Sequence, residues 1–384
     1  MARQPRVEYP NDWLIFEHSA RVIAIGGPHY PGGALHIWAN EPAAQFGPPP
    51  VLAVAGLQGW LTPTQARWVA MVVMALAGLA IVAMAERLAL RAVSAGETVR
   101  VRAVTLVGGA AATAAWSTGV GLYRHIDDVI ALTCAVGAVL LIDAARRGTG
   151  RNAFWLAAVL LGTGAAAKPW AVVFVPVLFA LPRPRIAPAL LVATGTAFAF
   201  WVPFLIGDPH TASSIASYPV PVQRDSGLHA LGVRASQYHP YVAHSAPGAI
   251  RLLQFGLGGL ACLVVARRRW WIAAPLSGLA LRLAIEPQTW PYYGMGPVVL
   301  SLLVDLSRGS RTRLELTALA LVAWYALPNL AGPGVAGWGR LIWGAGVAAY
   351  FVLRREPGAP DCAAMSIPAQ VRTEQPPAAV GAIS

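Results

Sequence analysis

The residues best suited to chemistry form the run Arg124-His125-Ile126-Asp127-Asp128, which opens an apolar block. Two adjacent carboxylates beside a histidine and an arginine exceed what a helix cap needs, and acids at a membrane edge are costly, which favours a functional role. A plain structural interpretation also exists, because acids at a helix N-terminus interact favourably with the helix dipole. Adjacent helix positions point about 100° apart, so one acid can face a cavity while the other caps the helix. Which of Asp127 and Asp128 faces the cavity stays open from the sequence.

A second polar group lies near the amino terminus. Asp12 is followed five residues later by Glu17 and then by His18. The apolar residues of 13–25 have helical spacing, which predicts a helix lying on a membrane surface. Asp12 stands where the N-cap of that helix belongs, and capping alone would explain it. The functional interpretation is a carboxylate above a membrane-side cavity that acts as a general base.

Two basic residues extend the candidate site. Lys168, in the stretch AAAKPW, is the only lysine among the 29 lysine and arginine residues of the chain. It could serve as a snorkelling anchor, but arginine anchors equally well, so a compact ammonium suggests a ligand of phosphate or sugar oxygen. Arg282 precedes Glu286 by four residues, so the two can pair on one helix face. Alternatively, the forked guanidinium of Arg282 binds a phosphate.

A polar loop adds weaker candidates for headgroup or acceptor contacts, although loop polarity alone would produce a similar set: Arg224, Asp225, Ser226, His229 and Arg234. The sequence contains no Walker loop, dinucleotide glycine fingerprint, HExxH or Gly-x-Ser-x-Gly motif, so ATP-driven transport and soluble-nucleotide chemistry are unsupported. The three cysteines are far apart in the chain, and they suggest neither a disulfide framework nor a thiolate metal site.

Composition indicates the kind of element that must position these residues. Of the 384 residues, 56% are hydrophobic and only 12% are charged. A soluble domain needs more charge to cover its surface. The apolar residues occur in blocks that are mostly long enough to cross a bilayer, where backbone groups must be satisfied internally, so the blocks should be helices. The fold class predicted is an all-α, polytopic transmembrane helical bundle.

Eleven apolar blocks are candidate spans: 66–85, 103–121, 128–145, 153–167, 170–182, 187–206, 250–266, 271–285, 294–306, 314–331 and 339–353. The blocks 153–167 and 170–182 are short, and we expect them to form a hairpin that does not fully cross. Residues 47–62 are expected to be interfacial or re-entrant.

Charge sets the predicted topology. If each block crosses once, six arginine clusters fall on one side, and the positive-inside rule makes that side the cytoplasm. These clusters also account for the net charge of +12 without nucleic acid. All eight histidines fall on the opposite side, at positions 18, 29, 36, 125, 210, 229, 239 and 244. The arginine clusters and the histidines are two independent patterns, and both agree with spans that alternate in direction across the membrane.

The predicted organisation has three parts. Residues 1–65 form an outer first loop with interfacial helices, and 66–353 form the transmembrane domain with a long outer loop at 207–249. Residues 354–384 are rich in proline and alanine and are expected to form a disordered cytoplasmic tail. No apolar segment precedes the polar first loop to carry it outward, so we expect a first membrane helix to be missing from this sequence.

The order of these features resembles the C-type membrane glycosyltransferases, which use polyprenyl-phosphate sugars. The resemblance rests on the early Asp12, the stretch QFGPPP, the acids of HIDD, the stretch GTGAAAKPW and the large outer loop. It covers residues 10–350 and is nearest to the bacterial branch of polyprenyl-phosphate-mannose-dependent mannosyltransferases. The chain has Phe46-Gly47-Pro48-Pro49 where that family usually has an aromatic residue followed directly by two prolines.

The resemblance implies roles for individual residues. Asp12 is expected to be the catalytic base or to hold the acceptor, and Asp127 or Asp128 to contribute to the site or to a metal. Lys168 is expected near the donor phosphate, and Arg282 is carried over because of its depth in the bundle. No cofactor is certain, and a divalent metal stays an open alternative.

The function expected is transfer of a hexose, mannose by resemblance, from a polyprenyl-phosphate sugar to a glycan or glycolipid acceptor. The enzyme would act at the outer face of a bacterial plasma membrane, with membrane lipid as a further partner and no nucleic acid. His125, Arg124, His18 and Arg224 join Lys168 and Arg282 as candidate substrate-binding residues. The alternatives are a transporter or flippase for a lipid-linked precursor, or a non-catalytic degenerate member.

Overall fold

The computed structural model describes residues 13–25, 34–40, 46–217, 220–235, 246, 248–308 and 313–354. These residues are almost entirely helical and contain no strand, which confirms the all-α prediction. The α-helices are α1 Trp13–Ile25, α2 Ile37–Asn40, α3 Pro48–Gln58, α4 Pro63–Leu90, α5 Thr98–Ser117, α6 Ile126–Arg146, α7 Ala153–Ala167, α8 Arg183–Gly207, α9 His210–Ser217, α10 Gly227–Ala230, α11 Ala249–Ala266, α12 Ala274–Ala284, α13 Met295–Leu306, α14 Glu315–Leu321, α15 Leu327–Leu330 and α16 Gly332–Leu353.

Tighter and wider helical turns join these elements. The 3₁₀ segments are Ala34–His36, Ala95–Glu97, Pro169–Ala180, Trp271–Ala273 and Pro291–Gly294, and the π-helical segments are Thr118–Tyr123 and Val322–Ala326. Each of the eleven predicted apolar blocks coincides with helical structure. In the described part of the chain, six helices are long and apolar enough to cross a membrane: Pro63–Leu90, Ala95–Tyr123, Ile126–Arg146, Arg183–Gly207, Ala249–Ala266 and Gly332–Leu353. The larger number of crossings stays a prediction.

Helix α6 lies at the centre of the packing and α8 at its periphery. In the apolar part of α6, 61% of the residues are buried, against 17% in α8. α6 packs against α4 and α7, and α7 also packs against α8. An apolar helix that is enclosed on most sides needs small and branched residues all around it, whereas a peripheral one leaves its large side chains for lipid. The central helix is the one whose first turn carries Asp127 and Asp128.

The two short blocks form a hairpin that extends along α6. Lys168, at the turn of the hairpin, contacts Asp127 at the start of α6. Arg146, at the end of α6, donates to the carbonyl of Ala180 at the end of the 3₁₀ segment. The second limb of the hairpin, Pro169–Ala180, therefore runs from one end of α6 to the other. From the small number of residues in the limb we expected it to be too short for this.

The first segment packs onto protein rather than lying on its own. α1 forms over the predicted range, and its apolar face is buried, with Phe16 4.4 Å from the ring of Phe46. The backbone N–H of Gly47 donates to Ala167 O at 2.9 Å, which fixes the start of α3 beside the turn at Lys168. The face predicted to rest on a membrane surface is thus covered by the chain itself.

A polar pair joins this segment to the end of α8. His36 Nδ1 lies 2.7 Å from Asp208 Oδ2. Hydrogen bonds from the backbone N–H of His210 and from His36 lower the pKa of Asp208, so its carboxyl stays ionised and keeps the contact at neutral pH.

Candidate functional site

The site begins where α5 ends and α6 starts. The π-helical turn Thr118–Tyr123 leads to Arg124, the one non-glycine residue with positive φ in the described ranges, at φ 57 and ψ 46. A left-handed arginine costs on the order of 1–3 kcal/mol and is kept only where the surroundings impose it. Here it reverses the chain, and His125 N donates to Gly119 O at 2.9 Å. The reversal brings the first turn of α6 back against the bundle.

Asp127 is bound on both carboxylate oxygens. Its Oδ2 accepts from the ammonium of Lys168, and its Oδ1 lies 3.3 Å from His125 Nδ1. The residue is 1% exposed. A carboxylate this enclosed needs a charged partner, because burial of an unpaired charge is costly. Lys168 meets that need from the turn between α7 and the 3₁₀ segment.

Asp128 has different surroundings and faces a narrow pocket. Its Oδ1 accepts from Trp170 Nε1 at 3.2 Å. Its Oδ2 lies 3.3 Å from both Lys168 Nζ and His125 Nδ1. The N-cap residue of α6 is His125, whose side chain makes no capping hydrogen bond, and both acids lie in the first turn that follows it. The structure thus answers the question that the sequence left open: Asp128 faces the cavity and Asp127 pairs with Lys168.

Arg282, near the end of α12, also lines the pocket. Its guanidinium contacts Glu286, which also accepts from Gln254 Nε2 at 3.0 Å. The guanidinium carbon lies 5.1 Å from the ring centre of Trp170, a distance at which cation–π attraction is effective. Among the described residues, Arg282 Nε has no hydrogen-bond partner although it is buried. The side chain therefore keeps donor capacity next to the pocket.

Two tyrosines that the sequence analysis did not select complete the site. Tyr292 stacks on His125 with ring centres 3.5 Å apart, and Tyr293 lies 5.9 Å from the guanidinium of Arg282. Both belong to the turn Pro291–Gly294 and line the pocket with Trp170. The aromatic run PQTWPYY at the end of a span signalled them in the sequence.

The remaining candidates lie elsewhere or outside the described residues. Asp12 is outside the described ranges. His18 lies half-buried on α1. Arg224 is exposed, whereas its neighbour Asp225 accepts from Arg340 at 2.6 Å and from Thr289.

Several interactions join the turn before the tyrosines to a polar segment. Gln223 N donates to Pro287 O at 2.9 Å, and Thr289 Oγ1 donates to Gln223 Oε1 at 3.0 Å. Thr289 thus contacts both Gln223 and Asp225. The segment around Asp225 therefore supports the turn that carries Tyr292 and Tyr293, which is a positioning role.

The site as a whole combines charge, aromatic surface and a carboxylate at a pocket. Three buried carboxylates, Asp127, Asp128 and Glu286, accompany two buried cations, Lys168 and Arg282. His125, Asp127 and Asp128 each offer a ligand atom, and these atoms lie within 4.8 Å of one another, a spacing at which a metal ion could be held. Such an arrangement can move a proton, hold an anion on Arg282 or hold a cation between the acids.

Comparison with known proteins adds no further assignment. No protein-family model matches the chain, and neither a curated protein nor a solved structure matches it.

Proposed function

We propose that this chain is a membrane glycosyltransferase that moves a hexose from a polyprenyl-phosphate sugar to a glycan or glycolipid acceptor. Mannose is the expected sugar, and the outer face of a bacterial plasma membrane is the expected location. One observation carries the proposal: Asp128 and Arg282 both line one pocket and both contact Trp170, at one end of a bundle of apolar helices. A lipid-linked phosphate sugar needs both an apolar surface and a polar site at its edge.

The donor fits this arrangement by its chemistry. Its polyprenyl tail would lie against apolar helix surface, where burial removes hydrocarbon from water. Its phosphate would bind Arg282, whose fork-shaped guanidinium suits phosphate oxygens and whose Nε keeps an unused donor. The free volume of the pocket is about that of one water molecule, so binding of the sugar ring between Trp170 and Tyr293 requires the pocket to widen. Lys168, already held by two carboxylates, supports the acids in this arrangement and leaves the phosphate to Arg282.

The transfer step follows. An acceptor hydroxyl attacks the anomeric carbon, the new carbon–oxygen bond forms, and the bond from that carbon to the phosphate oxygen breaks. The leaving polyprenyl phosphate takes the electron pair, and Arg282 stabilises its growing charge. The proton of the hydroxyl passes to a carboxylate. Asp12 is the proposed base. Asp128 is the carboxylate that lines the pocket, where it would take part in proton transfer or stabilise charge.

Asp12 lies outside the described residues, and its proposed role rests on the resemblance and on its place just before α1 in the sequence. The first turn of α1 follows Asp12 directly, and Phe16 in that turn contacts Phe46. The next residue, Gly47, bonds to Ala167 beside Lys168. The helix that begins after Asp12 is therefore packed against a segment that contacts the turn at Lys168.

The experiment is transfer of radiolabelled sugar from polyprenyl-phosphate donors in membranes that contain the chain or one of its variants. Asp128→Asn should lower transfer at least about 100-fold, because a carboxylate in a proton-transfer or charge-stabilising role contributes on that order. Asp12→Asn should lower it similarly. The matched control is Asp143→Asn, on the same helix but at its other end, where Asp143 pairs with Arg91 and Arg147.

The outcomes separate the rival functions. Normal transfer by Asp12→Asn would refute the base assignment and leave the enzyme class standing. Equal losses in Asp128→Asn and Asp143→Asn would show a structural effect rather than a site effect. No transfer from any donor by a stably inserted chain would contradict the proposal and favour a transporter or a non-catalytic scaffold.

A further inference from the structure

The acidic pair at the start of α6 needs a cation, and two candidates exist for it. The donor atoms of His125, Asp127 and Asp128 cluster closely enough to hold a divalent metal ion. One oxygen of that cluster, Asp128 Oδ2, however, already lies 3.3 Å from the ammonium of Lys168, and the other oxygen of Asp127, Oδ2, contacts the same ammonium. We infer that Lys168 is the resident cation of this site and takes the place that a divalent metal would otherwise fill. This inference concerns what the site binds and goes beyond the proposed transfer.

The ammonium lies beside an oxygen that the metal site would share, because Asp128 Oδ2 is 3.3 Å from both His125 Nδ1 and Lys168 Nζ. Lys168 Nζ contacts Asp127 Oδ2 and lies 3.3 Å from Asp128 Oδ2. A Mg²⁺ or Ca²⁺ ion shared by these two oxygens would sit about 2.0–2.6 Å from each. Since the ammonium lies 3.3 Å from Asp128 Oδ2, an ion on that oxygen would be within about 6 Å of the ammonium. Like charges at that distance repel strongly in a buried site. The acids can therefore hold one of these cations at a time.

Lys168 is held so that it cannot easily withdraw. Its backbone N–H donates to Gly164 O at 3.0 Å, and its carbonyl accepts from Ala171 N at 2.8 Å. The residue is 8% exposed, and Pro169 follows it. Moving the ammonium into solvent would leave Asp127 and Asp128 buried side by side without it, which is strongly unfavourable.

The residue type agrees with this role. Lysine occurs once in 384 residues, in a chain that uses arginine for its other fixed cations. An ammonium is a compact point charge with three donors, whereas a guanidinium is a flat fork that suits one carboxylate or phosphate at a time. Where two carboxylates of adjacent residues converge on one point, the smaller group fits. Asp127 and Asp128 converge in this way on Lys168.

Manganese binding by the purified full-length chain in detergent tests the inference. The probe is Mn²⁺, followed by the electron paramagnetic resonance of the free ion and by the thermal unfolding temperature with Mn²⁺ or EDTA. Lys168→Met removes the ammonium and keeps a chain of similar length. The double variant Lys168→Met with Asp128→Asn removes the ammonium and one ligand of the site.

The wild-type chain should show no saturable Mn²⁺ site that depends on Asp128, and Mn²⁺ and EDTA should leave its unfolding temperature unchanged. Lys168→Met should bind about one Mn²⁺ per chain at least tenfold more tightly than wild type, because the vacated carboxylates then form an oxygen-rich site. The double variant should lose that gain.

Two results would overturn the inference. One is a single Mn²⁺ site in the wild-type chain that Asp128→Asn removes. The other is a folded Lys168→Met chain that gains no Mn²⁺ affinity. If Lys168→Met does not fold, the titrations of the wild-type chain and of Asp128→Asn still show whether the wild-type site binds Mn²⁺. Since the readout is binding and not transfer, a failure of the proposed enzymatic function would leave this result interpretable.

Discussion

Asp127 and Asp128 are neighbours in the chain, yet their carboxylates have separate tasks. Both carboxylate oxygens of Asp127 contact neighbours, Lys168 and His125, whereas Asp128 lines the pocket and accepts a hydrogen bond from Trp170. The division arises because consecutive helical residues point in different directions. A third residue, Lys168, contacts both and couples them electrostatically.

At this scale we predict non-additive effects on stability. Lys168→Met should lower the free energy of unfolding by about 3–5 kcal/mol, because it leaves two buried carboxylates without their cation. Adding Asp127→Asn to Lys168→Met should recover part of that loss, since one of the two unpaired charges is removed. Thermal unfolding of the solubilised chain in EDTA measures both.

Asp143→Asn is the control for this cycle. Its ion pair with Arg147 is partly exposed, so its loss should cost no more than about 1 kcal/mol. Strictly additive losses for Lys168→Met and Asp127→Asn would mean that the two groups do not interact as the structure shows.

At the scale of elements, helix geometry decides which residues meet. The segment Pro169–Ala180 has 12 residues, which as an α-helix would extend about 18 Å but as a 3₁₀ helix extends about 24 Å. The extra length lets one short limb connect Lys168 at one end of α6 with Ala180 at the other. Pro169 stands at the first helical position, where its missing N–H is not needed, and the ring of Pro176 would clash with the preceding turn of a regular α-helix.

A second element-scale feature is Gly47, which interrupts the aromatic-Pro-Pro pattern of the family that the sequence resembles. A Cβ at position 47 would overlap the carbonyl oxygen of Ala166, so glycine is required where α3 meets the end of α7. The departure from the pattern therefore has a packing reason at the turn that holds Lys168.

We predict that Gly47→Ala lowers the unfolding temperature of the chain, with a cost of about 1–3 kcal/mol or more from steric overlap. Gly56→Ala is the matched control, because Gly56 lies in α3 and a Cβ there meets no described atom within 4 Å. That control should be neutral or stabilising by up to about 1 kcal/mol, since alanine favours helix over glycine. Equal effects of the two substitutions would contradict the close approach at Gly47.

At the scale of the whole molecule, the residues around the start of α6 differ from those around its end. Asp127, Asp128, Lys168 and the two tyrosines lie around the start. Around the end, Arg185 donates to Ala145 O at 3.2 Å and Arg267 lies 4.9 Å from the ring of Phe179. Arginine at helix ends is typical of the cytoplasmic side, so the site end is predicted to face outward.

Labelling of single cysteines tests this orientation. In a chain whose three native cysteines are replaced by serine, Arg224→Cys should react with a membrane-impermeant maleimide in intact cells. Arg151→Cys, at another exposed arginine, in the loop between α6 and α7, should react only after permeabilisation. The reverse pattern would place the site at the cytoplasmic face and contradict the proposed outer acceptor.

The sequence by itself determined the helical class, the apolar blocks and the residues at their ends. Block length and polarity decide these properties because lipid requires internally bonded backbone. It also selected Asp127, Asp128, Lys168 and Arg282, since an ionisable residue at the edge of an apolar block is costly and therefore conspicuous.

Only the tertiary structure decided how these residues meet. A hydrophobic pattern predicts how deep a residue lies along a helix, but not which helices are neighbours or how each is rotated about its axis. The pairing of Lys168 with both acids, the exposure of Asp128 to the pocket and the contact of Arg282 with Trp170 all depend on that rotation and packing. They come from side-chain interdigitation between segments far apart in the chain, which no local pattern encodes.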